Sequence, residues 1–260
     1  MAQPSKKDIA EQQRQDRLMA AIERPFRLAV IKEKNRFIEE VAKDFYRIRR
    51  ISDDEFAMHK VKMENIFLVY YGRAMRTFSI YVERQVLKQQ KNAHIYLETK
   101  ADFWEFMLNQ WVSSRGGQEA RQTASTTRRD IMDSVQSALD SDEAVTESQL
   151  TKRVLLAKGF SNFRAAAIAR TETHNAAMFA SINTAKKIGA DVGLNLFKRW
   201  IPVQDGRTRD IHIAMSGSKA ISMDAKFVVG GARMDRPGDP AGGARNVINC
   251  RCALVYELQD

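Results

Sequence analysis

Asp191-Val192-Gly193-Leu194-Asn195-Leu196-Phe197-Lys198-Arg199-Trp200-Ile201 is where the chain changes character. Upstream, apolar residues recur at helical spacing. From Asp191 onward glycines and all but two of the prolines gather, and apolar residues come in short runs. Leu194 to Ile201, Lys226 to Val229 and Val247 to Tyr256 each read as a strand. Arg236-Pro237-Gly238-Asp239-Pro240 and Gly242-Gly243 carry turn chemistry. The expected fold is α+β: a largely helical N-terminal part, and a C-terminal domain of helices packed on a small turn-rich β unit over 191–260.

The helix preceding this unit is expected over 161–188, N-capped by Ser161. Phe163, Ala167, Thr171, His174, Met178, Ile182 and Ala185 trace one face at spacings of three and four. Lys186 and Lys187 suit its C-terminal dipole and Gly189 its C-cap. Thr146-Glu147-Ser148-Gln149 has capping-box spacing and opens a shorter helix that Gly159 can end. Ser113-Ser114-Arg115-Gly116-Gly117 breaks the pattern and reads as a linker.

The first half reads as packed helices. Pro25 suits the start of a helix, after which Phe26, Val30, Phe37, Val41, Phe45 and Ile48 keep a 3.6-residue stripe. Ser52-Asp53-Asp54-Glu55 is a second capping box, predicting a helix from Asp53 with an apolar face of Met63, Phe67, Tyr70, Ala74, Phe78 and Tyr81. A third apolar segment, Ile95 to Val112, contains Trp104, Phe106 and Trp111. The expected division is 1–112 as a helical partner-binding region, 113–145 as linker and helix, and 146–260 as the C-terminal domain.

With 260 residues, 44% hydrophobic and 28% charged, the composition is that of a globular protein. No apolar run approaches the ~20 residues that span a bilayer. Met1 to Arg17 is polar and lacks the apolar stretch of a secretory signal. Two cysteines in a chain of this length argue against a disulfide scaffold and for a cytosolic setting. The net charge is +10, with +8 in residues 151–260 and +6 in 151–189 alone. Lys152, Arg153, Lys158, Lys186 and Lys187 are the candidate contacts to a phosphate backbone, with a solvated helix face as the plainer reading.

Four stretches carry potential chemistry: Ala169-Arg170-Thr171-Glu172, then Lys198-Arg199-Trp200 with Asp205-x-Arg207-Thr208-Arg209-x-x-His212, Pro237-Gly238-Asp239, and Asn249-Cys250-Arg251-Cys252. On a strand, Cys250 and Cys252 would present two sulfurs to one face. Two thiolates are soft ligands for zinc, which needs two more. His212 is the first candidate, and Asp205 or His174 the second. The alternative is a pair of reduced, buried small hydrophobes. Asp205 could instead orient His212 as a general base beside phosphate-gripping arginines, making a metal-dependent nuclease. The structural reading has Thr208 capping a short helix and Arg207 and Arg209 pairing with Asp205, Asp210 or Glu172. Arg170 and Glu172 point about 200° apart on a helix, so one of them is expected to reach the β unit as a paired charge. Trp200 reads as the apolar anchor between helix and β unit.

The order and spacing of these four stretches, over about residues 145–257, resembles the C-terminal region of the Mu F-like minor head proteins of tailed phages. Ala253 departs from the hydroxyl or β-branched residue common there. The resemblance implies a minor capsid component without turnover chemistry, found in the virion and, during assembly, in the host cytoplasm. It implies the portal protein, the major capsid protein, or both as partners, possible contact with double-stranded DNA, and a part in DNA packaging or delivery. Some relatives carry an appended toxin or enzyme domain, for which the residues after Cys252 leave no room. A free DNA-binding protein is the third class.

Overall fold

The computed structural model describes residues 5–48, 52–89, 100–140, 146–156 and 162–258. Helix α1 (Lys6–Ile48) runs through Pro25 rather than starting there. Interior proline costs a helix about 3 kcal/mol, and Ile22 and Phe26 on either side are buried, which holds the helix across the lost N–H bond. Helix α2 (Asp53–Leu87) starts where its sequence predicts. The Ser52 hydroxyl accepts from the Asp54 N–H at 3.2 Å, while the Glu55 carboxylate reaches Arg36 at 3.1 Å instead of closing the capping box.

Helix α3 (Lys100–Trp111) passes through a π-helical turn, Val112–Gly116, into α4 (Gly117–Leu139). The expected linker at Ser113 to Gly117 is therefore helical. A Cβ on Gly117 would stand 3.0 Å from the Val112 carbonyl oxygen, so this glycine permits a close approach rather than a flexible joint. Helix α5 (Glu147–Leu156) has the reciprocal capping box: the Gln149 N–H donates to Thr146 Oγ1 at 3.3 Å, and the Thr146 N–H to Gln149 Oε1 at 2.8 Å. Ile95, Lys158, Gly159 and Ser161 lie outside the described residues.

Helix α6 (Asn162–Val192) is buried on every side from Thr171 to Met178, so its inward residues form no single stripe. Small residues such as Ala176, Ala177, Ala180 and Ala185 let neighbours close in. Phe163, expected on the buried face, is 87% exposed. The helix ends one turn beyond Gly189. Gly193 takes the left-handed conformation (φ 69°), and the Leu194 N–H bonds the Gly189 carbonyl at 2.8 Å in a Schellman closure.

The chain divides into two compact units. A helical unit comprises Glu23–Tyr70 and Asn109–Ala169. In it Phe26 meets Phe67 edge-on at 5.1 Å and stacks on Tyr70 at 4.8 Å, while Phe37, Ile38, Val41, Phe45, Ile131 and Val135 share a buried cluster. The other unit joins Met1–Ile22 and Tyr71–Leu108 to Arg170–Asp260. Both ends of the chain thus contribute to one compact unit.

In this second unit β1 (Leu196–Ile201) lies between β2 (Ile221–Ser222) and β5 (Ala253–Leu258), all antiparallel. A hairpin of β3 (Phe227–Val229) and β4 (Ala232–Met234) turns on Gly230-Gly231, both at positive φ. The outer edge of β5 is covered by amides. Gln15 Nε2 donates to the Leu254 carbonyl at 2.8 Å, and Gln89 Nε2 to the Tyr256 carbonyl at 3.0 Å. The third expected strand is shorter than its sequence suggests. Val247 ends α8 (Gly243–Val247), and Asn249 at φ 56° turns the chain before β5 begins.

Candidate metal centre

After β1 the chain turns through Asp205, whose Oδ1 accepts from the Arg207 N–H at 3.0 Å and the Thr208 hydroxyl at 3.1 Å. Thr208 therefore serves this turn and caps nothing. The one-turn helix α7 (Asp210–Ile213), with Arg209 at its N-cap, carries His212 inward, where it is 1% exposed.

The Asn249–Cys252 segment is held residue by residue. The Asn249 N–H donates to Thr171 Oγ1 of α6 at 3.0 Å, and Arg170 reaches the Asn249 side chain at 3.3 Å. Arg251 grips Asp205 with two bonds of 2.6 and 2.7 Å. His174 Nε2 donates to the Cys252 carbonyl at 2.8 Å. Between these anchors both sulfurs turn to one ring nitrogen, His212 Nδ1, Cys250 at 3.8 Å and Cys252 at 3.3 Å. The pairing does not rest on a strand, since both cysteines precede β5 and the convergence comes from the Asn249 turn.

His212, Cys250 and Cys252 are the one group of three or more potential metal donors among the described residues, with donor atoms within 4.8 Å of one another and all side chains buried. Zn–S and Zn–N bonds in a tetrahedron place sulfur and nitrogen about 3.6 Å apart, a length that the two observed separations bracket. The Cys250 thiol is held well below its ordinary range by its hydrogen bond with Cys252, against burial. Burial, and then Cys250, push the Cys252 thiol up, with Trp200 and the Val203 backbone acting weakly in the opposite direction.

The other expected donors are engaged elsewhere. Asp205 lies outside this trio: Arg251 takes both of its carboxylate oxygens and holds the carboxyl well below the usual carboxylate range. His174 gives Nε2 to the Cys252 carbonyl. The Asp205–His212 pair required of a general base does not form, since Asp205 faces Arg251 and His212 faces sulfur. Glu172 is buried and accepts from the Tyr71 hydroxyl at 2.7 Å. Its expected arginine partners sit elsewhere, Arg207 on Asp205 and Arg209 on the Ile248 carbonyl. Trp200 is 1% exposed and meets His212 and Phe227 edge-on at 5.7 and 5.4 Å.

Of the basic candidates, Lys152 is exposed and Arg153 half-buried. Lys186 pairs with Asp224 at 2.9 Å and Lys187 with Asp191 at 2.6 Å.

Lys198 has a place that its sequence setting did not announce. It shares the inward face of β1 with Leu196 and Trp200, is fully buried, donates to the Asp235 carbonyl at 2.9 Å and lies 5.3 Å over the Phe227 ring. The period of two was the available signal. Burial pushes its pKa down from 10.5 to about 8. Between those values the unfolded chain holds a proton that the folded chain has shed, so stability rises with pH across that window. Lys34, also pushed down to about 8 by burial, acts in the same direction. Lys198→Met should remove roughly half of the rise, read as urea midpoints in mildly alkaline buffers; an unchanged slope would count against a buried ammonium.

Residues 116–255 match the family described as Phage Mu protein F like protein. The chain belongs to this family. It is also 35% identical over 113 residues to minor head protein GP7 of Bacillus phage SPP1, covering 43% of this chain and 35% of that protein. The chain thus spans about a third of the length of this curated relative. No solved structure gives a significant match. His174, Asp205, His212 and Cys250 to Cys252 all fall inside the matched Mu F-like region, whereas Gln15, Tyr71 and Gln89 fall outside it. No described helix is long and apolar enough to cross a membrane.

Proposed function

We propose that this chain is a minor structural component of a tailed-phage head, assembled in the host cytoplasm and retained in the virion. It docks on the portal protein, the major capsid protein, or both, and works without turnover chemistry. The observation that carries this reading is the Mu F-like match over 116–255, together with the minor head protein of SPP1 as relative. Exposed large apolar side chains support a docking role: Leu28, Val61, Val69 and Phe163 in the helical unit, and Phe106 and Val228 in the other. In this reading Lys152, Arg153, Lys158, Lys186 and Lys187 contribute long-range attraction to packaged double-stranded DNA during packaging or delivery.

Cys250, Cys252 and His212 would hold a structural zinc ion, leaving one coordination position for a ligand outside the trio. Bound there, zinc would cross-link α7 to the turn before β5, a useful constraint in a small sheet with short strands.

Co-expression with the cognate portal and capsid proteins tests the assignment. The chain should co-sediment with portal rings or proheads and persist in purified particles. Absence from both would overturn it, and DNA cleavage lost in His212→Ala would replace it with the nuclease reading.

A further inference from the structure

A single carboxylate joins the two segments that carry the candidate donors. Asp205 opens the turn that leads into α7 and so to His212. Its Oδ1 accepts from the Arg207 N–H at 3.0 Å and the Thr208 hydroxyl at 3.1 Å, and its carbonyl accepts from the Thr208 N–H at 3.1 Å. The same side chain reaches the segment that bears the sulfurs. Arg251, the residue between the cysteines, donates from Nη1 to Oδ2 at 2.6 Å and from Nη2 to Oδ1 at 2.7 Å. Two parallel bonds between a guanidinium and a carboxylate fix direction as well as distance.

Direction matters because of what flanks Arg251. Cys250 and Cys252 are buried and turn their sulfurs to His212 Nδ1, while the half-buried Arg251 turns to Asp205. One peptide separates Arg251 from each sulfur-bearing residue, so a backbone rotation that releases the guanidinium also swings the sulfurs. Arg209 ties the same two segments with a single bond, to the Ile248 carbonyl at 2.6 Å. That bond comes from the solvent side and lies ahead of both cysteines, so it leaves their orientation free.

On the metal reading of His212, Cys250 and Cys252, we infer that Asp205 is a positioning residue for the metal centre. It acts through Arg251 to hold both sulfurs in register with the ring nitrogen. Asparagine at this position separates the clamp from the turn. It keeps Oδ1, and with it the bonds to the Arg207 N–H and the Thr208 hydroxyl. In place of Oδ2 it sets an NH2 group, which cannot accept from Arg251.

The test measures zinc affinity of the full chain by competition with a coloured chelator. Asp205→Asn and Arg251→Met should each weaken binding by about 10–100-fold, the usual cost of losing a group that orients a ligand. The double variant should lose no more than either single one, because each already breaks the same link. With cobalt(II) in place of zinc, sulfur-to-metal absorption should weaken in both variants, a signature that general loss of stability does not move. Arg199→Met is the control: it breaks the pairs with Asp8 and Glu257 in the same unit and should leave zinc affinity unchanged. Should Asp205→Asn fold poorly, Arg251→Met alone decides. Wild-type affinity and cobalt spectrum in Arg251→Met would overturn the inference and leave the metal reading standing. Loss in Asp205→Asn alone would also overturn it, since the carboxylate would then act on the metal directly. A wild-type protein that binds no zinc would remove the metal reading itself.

Discussion

Replacing Cys252 by serine should strip the purified protein of zinc and lower its stability by at least about 3–5 kcal/mol, the largest effect expected of any single side-chain change at the metal centre. Wild-type protein should carry close to one equivalent of zinc. A strong chelator should bring its melting temperature down to that of the variant and leave the variant where it is. Cys252 is the more telling of the two cysteines because more converges on it. Its sulfur stands 3.3 Å from His212 Nδ1, and its carbonyl receives His174. Serine retains a hydrogen-bonding atom but gives up the soft donor, so metal loss is separated from simple loss of packing. Cys250→Ser should lose the metal too, with a smaller residual cost. Zinc well below one equivalent, with melting indifferent to the chelator, would return both cysteines to the role of buried apolar side chains.

What could be read from the residues depended on whether the governing interaction was local. Phe26, Val30, Phe37, Val41 and Phe45 repeat at helical spacing and are all buried. The capping box at Thr146 closes in full because nothing competes for its Gln149, whereas Glu55 is drawn away from Ser52 by Arg36, nineteen residues distant. Pro25 and the Gly116-Gly117 pair carry strong local signals for a helix start and a linker. Both are overruled by burial.

On α6 the stripe covered only part of the buried surface: Thr171, His174, Met178, Ile182 and Ala185 are buried as read, but so are Thr173, Asn175, Ala176 and Ala177 on other faces. Threonine, serine and alanine have little hydropathy of their own, so a helix enclosed on all sides by them shows only part of its inward surface as a stripe. At the candidate metal centre the donor types that come together, Cys250, Cys252 and His212, were legible from ligand chemistry. The fate of Asp205 was not, because Arg251 lies in the same motif as the cysteines and takes Asp205 for itself. Nor could any periodicity have joined Gln15 and Gln89 to the edge of β5, since those bonds span 239 and 167 residues.

Gly238→Ala should destabilise the β-bearing unit by about 3–4 kcal/mol, while Gly193→Ala, at nearly the same backbone angle, should cost only about 1 kcal/mol. The two glycines have φ of 72° and 69°, so the backbone strain of a side chain is shared between them. Their surroundings differ. A Cβ on Gly193 meets nothing within 4 Å, whereas one on Gly238 would run into the Asn175 side-chain amide and stand 2.9 Å from His174 Nδ1. Neither neighbour can yield. Asn175 is fully buried and, with its NH2 facing inward, reaches the carbonyls of Thr171 and Gly238 at 3.2 and 3.3 Å. His174 is fixed at its far nitrogen by the Cys252 carbonyl. Pushing the imidazole therefore moves the cysteine turn, and Gly238→Ala should weaken zinc retention without touching a ligand. Urea denaturation of the two variants, with zinc measured in each, separates strain from collision. Equal costs would mean that only the left-handed backbone matters at Gly238, and full zinc retention in a destabilised Gly238→Ala would uncouple His174 from the metal centre.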